Sequence, residues 1–221
     1  MEIIAIVGFY QDRKAGQRLA ENLDKLGIPS IWCDSRVEGF KQYNNSDYST
    51  DGLPEFLQQF KSISLFRLGL TQKGEGITFM LRKAAAMGYK YTITLGCDEY
   101  LEGDFELFKS NLKRIKLSEP TKLRVPLVEK NGDQNISERV VYMPEFVHVK
   151  HVHYFYYNNY FGYEKLMAVK NGESPLVLGL TIYHDDTVRD PERNQAMDEY
   201  QKIDKKKEFE TTLDLIRKNQ I

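Results

Sequence analysis

Cysteine is nearly absent from this chain, with two in 221 residues, Cys33 and Cys97. Each ends an expected strand, so both read as reduced, partly buried thiols, and a disulfide framework is excluded. The compartment that follows is cytoplasmic. No apolar run comes near the roughly 20 residues that cross a bilayer, so no membrane span is expected. Residues 1–7, MEIIAIV, carry no basic leader or small-residue cleavage site and read as a first strand. A surplus of positive charge is also missing. The 31 Lys and Arg against 32 Asp and Glu leave a formal charge of −1, with no basic field to hold nucleic acid. The cluster from Lys202 to Lys207 contains Asp204 and reads as a solvated helix face.

Several chemistries are excluded in the same way. There is no G-x-G-x-x-G for a dinucleotide, no G-x-x-x-x-G-K-[ST] for a P-loop, and no G-x-S-x-G for a serine hydrolase. C-x-x-C and H-E-x-x-H are absent too, which removes a structural zinc site or a zincin. No internal repeat, low-complexity linker or domain boundary is visible, and the length suits one domain.

What the chain does have is a run of alternating strands and helices. Ile3 to Phe9 is a continuous apolar stretch of strand length. Leu19, Leu23 and Leu26 then recur at helical spacing up to Gly27, and Ile28 to Cys33 is a second strand ending at Asp34. This is a βαβ opening. Residues 35–52 form a long polar loop in which Asp51 could cap a helix that has Pro54 in its first turn. Ile63 to Leu70 is a third strand, and a loop bearing Lys73 leads to a helix from Ile77 to Met87, closed by Gly88.

The stretch Tyr91 to Leu95 is the central strand, and it runs directly into Gly96, Cys97, Asp98 and Glu99. A buried strand ending in carboxylates places charge at the edge where open α/β sheets bind ligands. Two such carboxylates can hold Mg2+ or Mn2+. The chain then reads as an acidic loop, a helix from Phe105 to Ile115, and a strand from Leu123 to Val128 whose Pro126 favours an edge or a bulge. Asn131-Gly132 marks a turn, and strands follow at Arg139 to Met143, Val147 to Tyr157 and Leu176 to Tyr183. Residues 191–218 read as helical.

The polar groups at strand ends are the candidate sites: Asp34, Asp98 with Glu99, His151 with His153, and His184 with Asp185 and Asp186. A carboxylate and a histidine together suit Mg2+, Mn2+ or Zn2+. Arg189 and Arg193, four apart, can share a helical face and clamp a diphosphate, or simply balance Asp190 and Glu192. The aromatic run from Tyr154 to Tyr163 can pack a core, or stack on sugar rings while its asparagines bond hydroxyls.

Taken in order, these pieces resemble a family 2-type glycosyltransferase. The segment from Trp32 to Phe40 is similar to a D-G-R-x-x-G-F stretch of one bacterial and archaeal subgroup, and Ser49-Thr50-Asp51-Gly52 to its S-(T/N)-D-G-T. Leu95-Gly96-Cys97-Asp98-Glu99 stands where the family has L-D-A-D-E, its D-x-D metal motif. Ile182 to Asp186 with Arg189, Arg193 and Tyr200 is similar to its l-x-H…R-x-x-x-R…Y ending.

The resemblance implies an α/β fold of GT-A type, a three-layer α/β/α sandwich with a mostly parallel central sheet and a small antiparallel C-terminal part. It implies one domain, with residues 1–117 binding the nucleotide-sugar and 118–221 facing the acceptor. It implies transfer of a sugar from a UDP- or GDP-linked donor to a glycan or other hydroxyl, helped by Mn2+ or Mg2+. Asp98 and His184 would hold the metal. Asp34, Arg36, Lys73, Arg189 and Arg193 would contact the donor, and His153 or Asp185 would serve as base. Two departures stand out: Gly96 replaces the first Asp of D-x-D, and Gly76-Ile77-Thr78 replaces a basic triplet. A non-catalytic module that keeps the fold and the cleft is the alternative. A nucleotidyltransferase is weaker, because its compact Gly- and Arg-rich N-terminal loop is missing.

Overall fold

The computed structural model describes residues 3–37, 40, 43–71, 73–118, 121–142, 174–196 and 198–199. Its elements run β1 (Ile3–Phe9), α1 (Arg13–Lys25), β2 (Ser30–Val37), α2 (Leu53–Leu57), β3 (Ile63–Thr71), α3 (Lys73–Ala86), β4 (Tyr91–Leu95), β5 (Glu99–Gly103), α4 (Phe105–Arg114), β6 (Thr121–Glu129), β7 (Gln134–Tyr142) and β8 (Leu180–His184). The strands form one sheet in the order β3-β2-β1-β4-β7-β6-β8-β5. The first four pair in parallel. From β4 onward the pairs are antiparallel, apart from a short parallel match between β6 and β8. This is the GT-A-like α/β arrangement that the resemblance implies.

Both faces of β1 are buried, which is why its sequence is apolar without alternation. Ala5 and Val7 pack with Leu19 and Leu23 of α1 on one face. Ile4 and Ile6 pack with Met80, Leu81 and Ala84 of α3 on the other. At the far end of the sheet, β5 pairs among the described residues with β8 alone. Its open edge is covered from α1, where Asn22 donates to the Leu101 carbonyl at 2.9 Å and accepts from the Leu101 amide at 2.8 Å. One amide side chain thus stands in for a strand partner.

Four sequence expectations are corrected. Glu99 does not open a loop but begins β5, five residues long. The third helix starts at Lys73, not Ile77, so Lys73 opens a helix instead of standing in a loop. Strand β2 continues past Cys33, which puts Asp34 inside it at a bulge between Asp34 and Ser35. Pro126 sits inside the sheet, not at its edge. Its nitrogen faces the same side as that of Arg124, which donates to Pro175. On that side the pairing with β8 begins only at Leu127, so no ladder bond is lost at Pro126. Nor does Pro126 stand at a bulge: β6 has one, between Leu123 and Arg124, while Pro126 pairs with Ile136.

Candidate functional site

In this sheet the chain leaves β1 toward β2 and β3 on one side, while β4 lies on the other. The loops after β1 and β4 therefore part in opposite directions and open a crevice at their carboxyl ends, the switch point where open α/β sheets take ligands. The β1 loop brings Asp12 to that crevice, and the β4 loop brings Asp98. The segment after β8 lays Arg189 across both. Its Nη1 is 2.8 Å from Asp98 Oδ2, and its Nε is 3.1 Å from Asp12 Oδ1.

His184 meets Asp98 because of strand register. Glu99 pairs with His184 across β5 and β8, and the Asp185 amide donates to the Asp98 carbonyl at 2.9 Å, one step further along. His184 Nε2 lies 3.0 Å from Asp98 Oδ2, and its Nδ1 lies 2.6 Å from Glu129 Oε2. With a carboxylate on each nitrogen, the imidazolium form is favoured. The bond to Asp98 contributes most, then the bond to Glu129 against the effect of burial, and the pKa rises to about 9. Burial alone would raise the Asp98 carboxyl, but the His184 bond and the Arg189 charge outweigh it, and its pKa is lowered.

Beneath this pair lies a second ionic layer. Asp12 is fully enclosed, with Arg193 Nη2 2.6 Å from its Oδ2. Arg193 is itself buried, donates from Nε to the Tyr10 carbonyl at 2.9 Å, and lies over the Phe40 ring. Among the described residues no properly directed hydrogen bond reaches either Asp12 oxygen, and Arg189 Nε and Arg193 Nη1 share that condition. Burial pushes the Asp12 carboxyl upward against the pull of both guanidiniums. Glu99, also buried, accepts from the Gly96 amide and pairs with Arg139, both at 2.6 Å.

At the mouth, Arg18 of α1 donates from Nη2 to the Asp98 carbonyl at 3.0 Å, and its Nη1 is 3.3 Å from Asp185 Oδ2. Its guanidinium lies over Tyr100, which stacks on Tyr183 at 5.2 Å. Asp185 is half-buried and accepts from the amide and hydroxyl of Thr187, a bond that leads in lowering its pKa.

The expected residues are thus distributed as follows. Asp98, His184, Arg189 and Asp185 come together. Arg193 joins them only through Asp12. Asp34 and Arg36 belong to a separate cluster. Asp34 accepts from the Ser49 amide and hydroxyl and from Arg67 Nε, and Arg36 bonds Asp47 and the Asn44 carbonyl. That cluster ties the loop of residues 43–52 over the carboxyl ends of β1 to β3. Lys73 opens α3. His153, its neighbour His151, and the aromatic run from Tyr154 to Tyr163 lie outside the described residues.

Asp12, Arg18 and Glu129 were not anticipated. An acid directly after β1 and two arginines four residues apart in need of a partner are the signals that point to Asp12.

The donor set, as arranged, does not fit a divalent ion. Asp98 Oδ2 is taken by two cationic groups, and His184 presents no free nitrogen. Among the described residues no three His, Cys, Asp or Glu converge to hold a metal. One cavity is lined by Lys90, Tyr91, Lys113 and Tyr142, away from the site at the opposite ends of β4 and β7, and another, lined by Asp186, Arg189 and Asn194, adjoins it through Arg189.

No family model matches the chain, and no curated protein matches it. Among solved structures, it is similar to TarS of S. aureus at 14% identity and TM-score 0.41, over 60% of this chain. It spans only 23% of TarS. Mannose-1-phosphate geranyltransferase from Thermus thermophilus is 13% identical over 85% of this chain and 77% of its own, with TM-score 0.45. The 4-diphosphocytidyl-2C-methyl-D-erythritolsynthase from Anaerococcus prevotii is 9% identical over 89% and 93%, with TM-score 0.47. At such values these neighbours carry nothing about what this chain acts on; its GT-A-like fold stands on its own strand order.

Proposed function

We propose that this chain is a transferase that takes a UDP- or GDP-linked sugar and passes the sugar to a hydroxyl of a glycan or another acceptor. One observation carries the reading. Asp12 and Asp98, from the two loops that flank the switch point, are bridged by Arg189, so a charged and largely desolvated site stands where this class of sheet receives a ligand. The Tyr100–Tyr183 stack beside it offers a flat surface for a sugar ring.

In the reaction, the acceptor oxygen forms a bond to the anomeric carbon as the bond from that carbon to the diphosphate oxygen breaks. The electron pair leaves with the nucleoside diphosphate. Charge grows on the leaving group, and guanidiniums held in place before the reaction stabilise it without reorganisation. The acceptor's proton goes to a carboxylate at the mouth, and Asp185 is the residue we assign, the more open counterpart to the enclosed Asp12, Asp98 and Glu99. Its lowered pKa makes it a weak base, suited to accepting a proton late.

The test is release of UDP or GDP from a panel of nucleotide sugars, with thermal shift run in parallel. A donor that raises Tm and is turned over supports the proposal. If no nucleotide sugar moves Tm, the proposal falls. A second reading, a binding module without turnover, draws on Gly96 and on the double pairing of Asp98. Calorimetry showing nucleotide-sugar binding with no product formed would select it.

A further inference from the structure

The Asp98 carboxylate is turned back over Gly96. A Cβ placed on residue 96 would lie 2.6 Å from Asp98 Oδ1, closer than real Cβ contacts come. The place that would hold the first carboxylate of a D-x-D pair is therefore filled by the second. The other oxygen, Oδ2, carries both His184 Nε2 and Arg189 Nη1. Arg18 sits on the carbonyl of the same residue, with its side chain 31% exposed at the mouth. Three cationic side chains thus surround the one acidic residue that a divalent ion would use.

We propose that Arg18 and Arg189, both held on Asp98, bind the pyrophosphate of the nucleotide in place of a divalent metal. This rests on the nucleotide-sugar reading above. The geometry supports it in three ways. Two guanidiniums supply the same formal charge as one divalent ion and offer planar forks that match phosphate oxygens. Among the described residues Arg18 donates only to the Asp98 carbonyl and to the half-buried Asp185, so it can turn toward a ligand without leaving a buried acid unpaired. Arg189 cannot leave, because Asp12 and Asp98 hold it from both sides, and it is therefore fixed before the ligand arrives.

The experiment is calorimetric titration of UDP and of GDP into the full chain, once in EDTA and once in Mn2+, with free Mn2+ followed by electron paramagnetic resonance in a separate titration without nucleotide. The expected result is a Kd for one nucleotide that changes by less than about twofold between EDTA and Mn2+, and no loss of the free-ion signal on adding protein. Arg18→Met should weaken binding in EDTA by about tenfold or more, the loss of one charge-assisted contact, with Arg18→Lys in between. Variant Tm values within a few degrees of the parent keep that reading clear of misfolding.

Binding that appears only with Mn2+, or uptake of Mn2+ by the protein alone, overturns the inference and leaves the nucleotide-sugar reading standing. Unchanged binding in Arg18→Met also overturns it. If neither nucleotide binds in either buffer, the nucleotide-sugar reading itself falls, and the inference falls with it.

Discussion

Replacing Asp12 with Asn tests the deepest layer of the site. Asp12 is fully enclosed and lies 3.1 Å from Arg189 and 2.6 Å from Arg193. Arg189 keeps a second partner in Asp98, but among the described residues Arg193 has no other carboxylate and is itself buried. Asp12→Asn therefore strands the Arg193 charge in the interior, and breaking a buried pair on one side costs about 3–5 kcal/mol. For a chain of this size each kcal/mol moves Tm by roughly 2–4 °C, so a fall of about 6–20 °C is expected. Circular dichroism melts measure it directly. The discriminating step is the double variant Asp12→Leu with Arg193→Met, which removes both charges and fills the volume with apolar atoms. It should recover at least half of the loss, since apolar replacement of a whole buried pair is often neutral or stabilising. A single variant that melts within about 2 °C of the parent would refute the reasoning, because an ion pair that can be halved without cost is not holding a desolvated charge.

Asp34→Ala leaves the Ser49 amide, its hydroxyl and Arg67 without their shared acceptor, and should cost about 3 kcal/mol, with faster hydrogen exchange at the Ser49 amide as the local sign. Gly179→Ala should destabilise by roughly 2 kcal/mol or more in urea titrations, because φ there is +117° and the new Cβ would stand 2.5 Å from the Phe108 nitrogen. Asp104→Ala removes the side chain that accepts from the Leu107 amide at the start of α4, a cap worth about 1 kcal/mol and readable from the same titrations. His184 has a folded pKa of about 9, above an unfolded value near 6.5, so its contribution is complete below the unfolded value and is lost as pH rises through the folded one. The stability gap between the parent and His184→Gln should narrow by on the order of 1–2 kcal/mol from pH 6.5 to 9.5, a figure reduced for the exposure of the ring.

The parallel half of the fold was legible mainly because β1, β2 and β4 are buried on both faces. Ile3 to Phe9 and Tyr91 to Leu95 have no other reading as short apolar runs between helical periods. Asp98 and His184 were each legible as strand-end candidates, and the resemblance alone brought them together. Strand β5 was hidden: Glu99-Tyr100-Leu101-Glu102-Gly103 holds two apolar residues in five and owes its extended form to β8, some 80 residues on. Asp12 was hidden by ambiguity, because an acid between a strand and a helix reads as a cap. It does occupy that position, yet its side chain makes no capping bond and turns inward to the arginines instead. Arg189 and Arg193 were recognised as a pair four residues apart. Their common partner belongs to the first loop of the chain, and no local pattern reveals that.

That dependence on β5 makes the site a consequence of sheet register. Glu99 faces His184 in the ladder, and the next bond along joins the Asp185 amide to the Asp98 carbonyl. A slip of one residue between β5 and β8 would send every side chain to the opposite face and part Asp98 from His184. Two features resist such a slip. Asn22 clamps both polar groups of Leu101 from the helix, and Gly103 lies so close to Gly179 that a Cβ on residue 103 would overlap the Gly179 carbonyl oxygen, so this register requires glycine at 103. Glycine at 103 and 179 and asparagine at 22 carry no chemistry of their own. They fix the alignment that sets the acid of the β4 loop against the histidine of β8, so a substitution at any of the three should disturb nucleotide binding in step with the melting of β5.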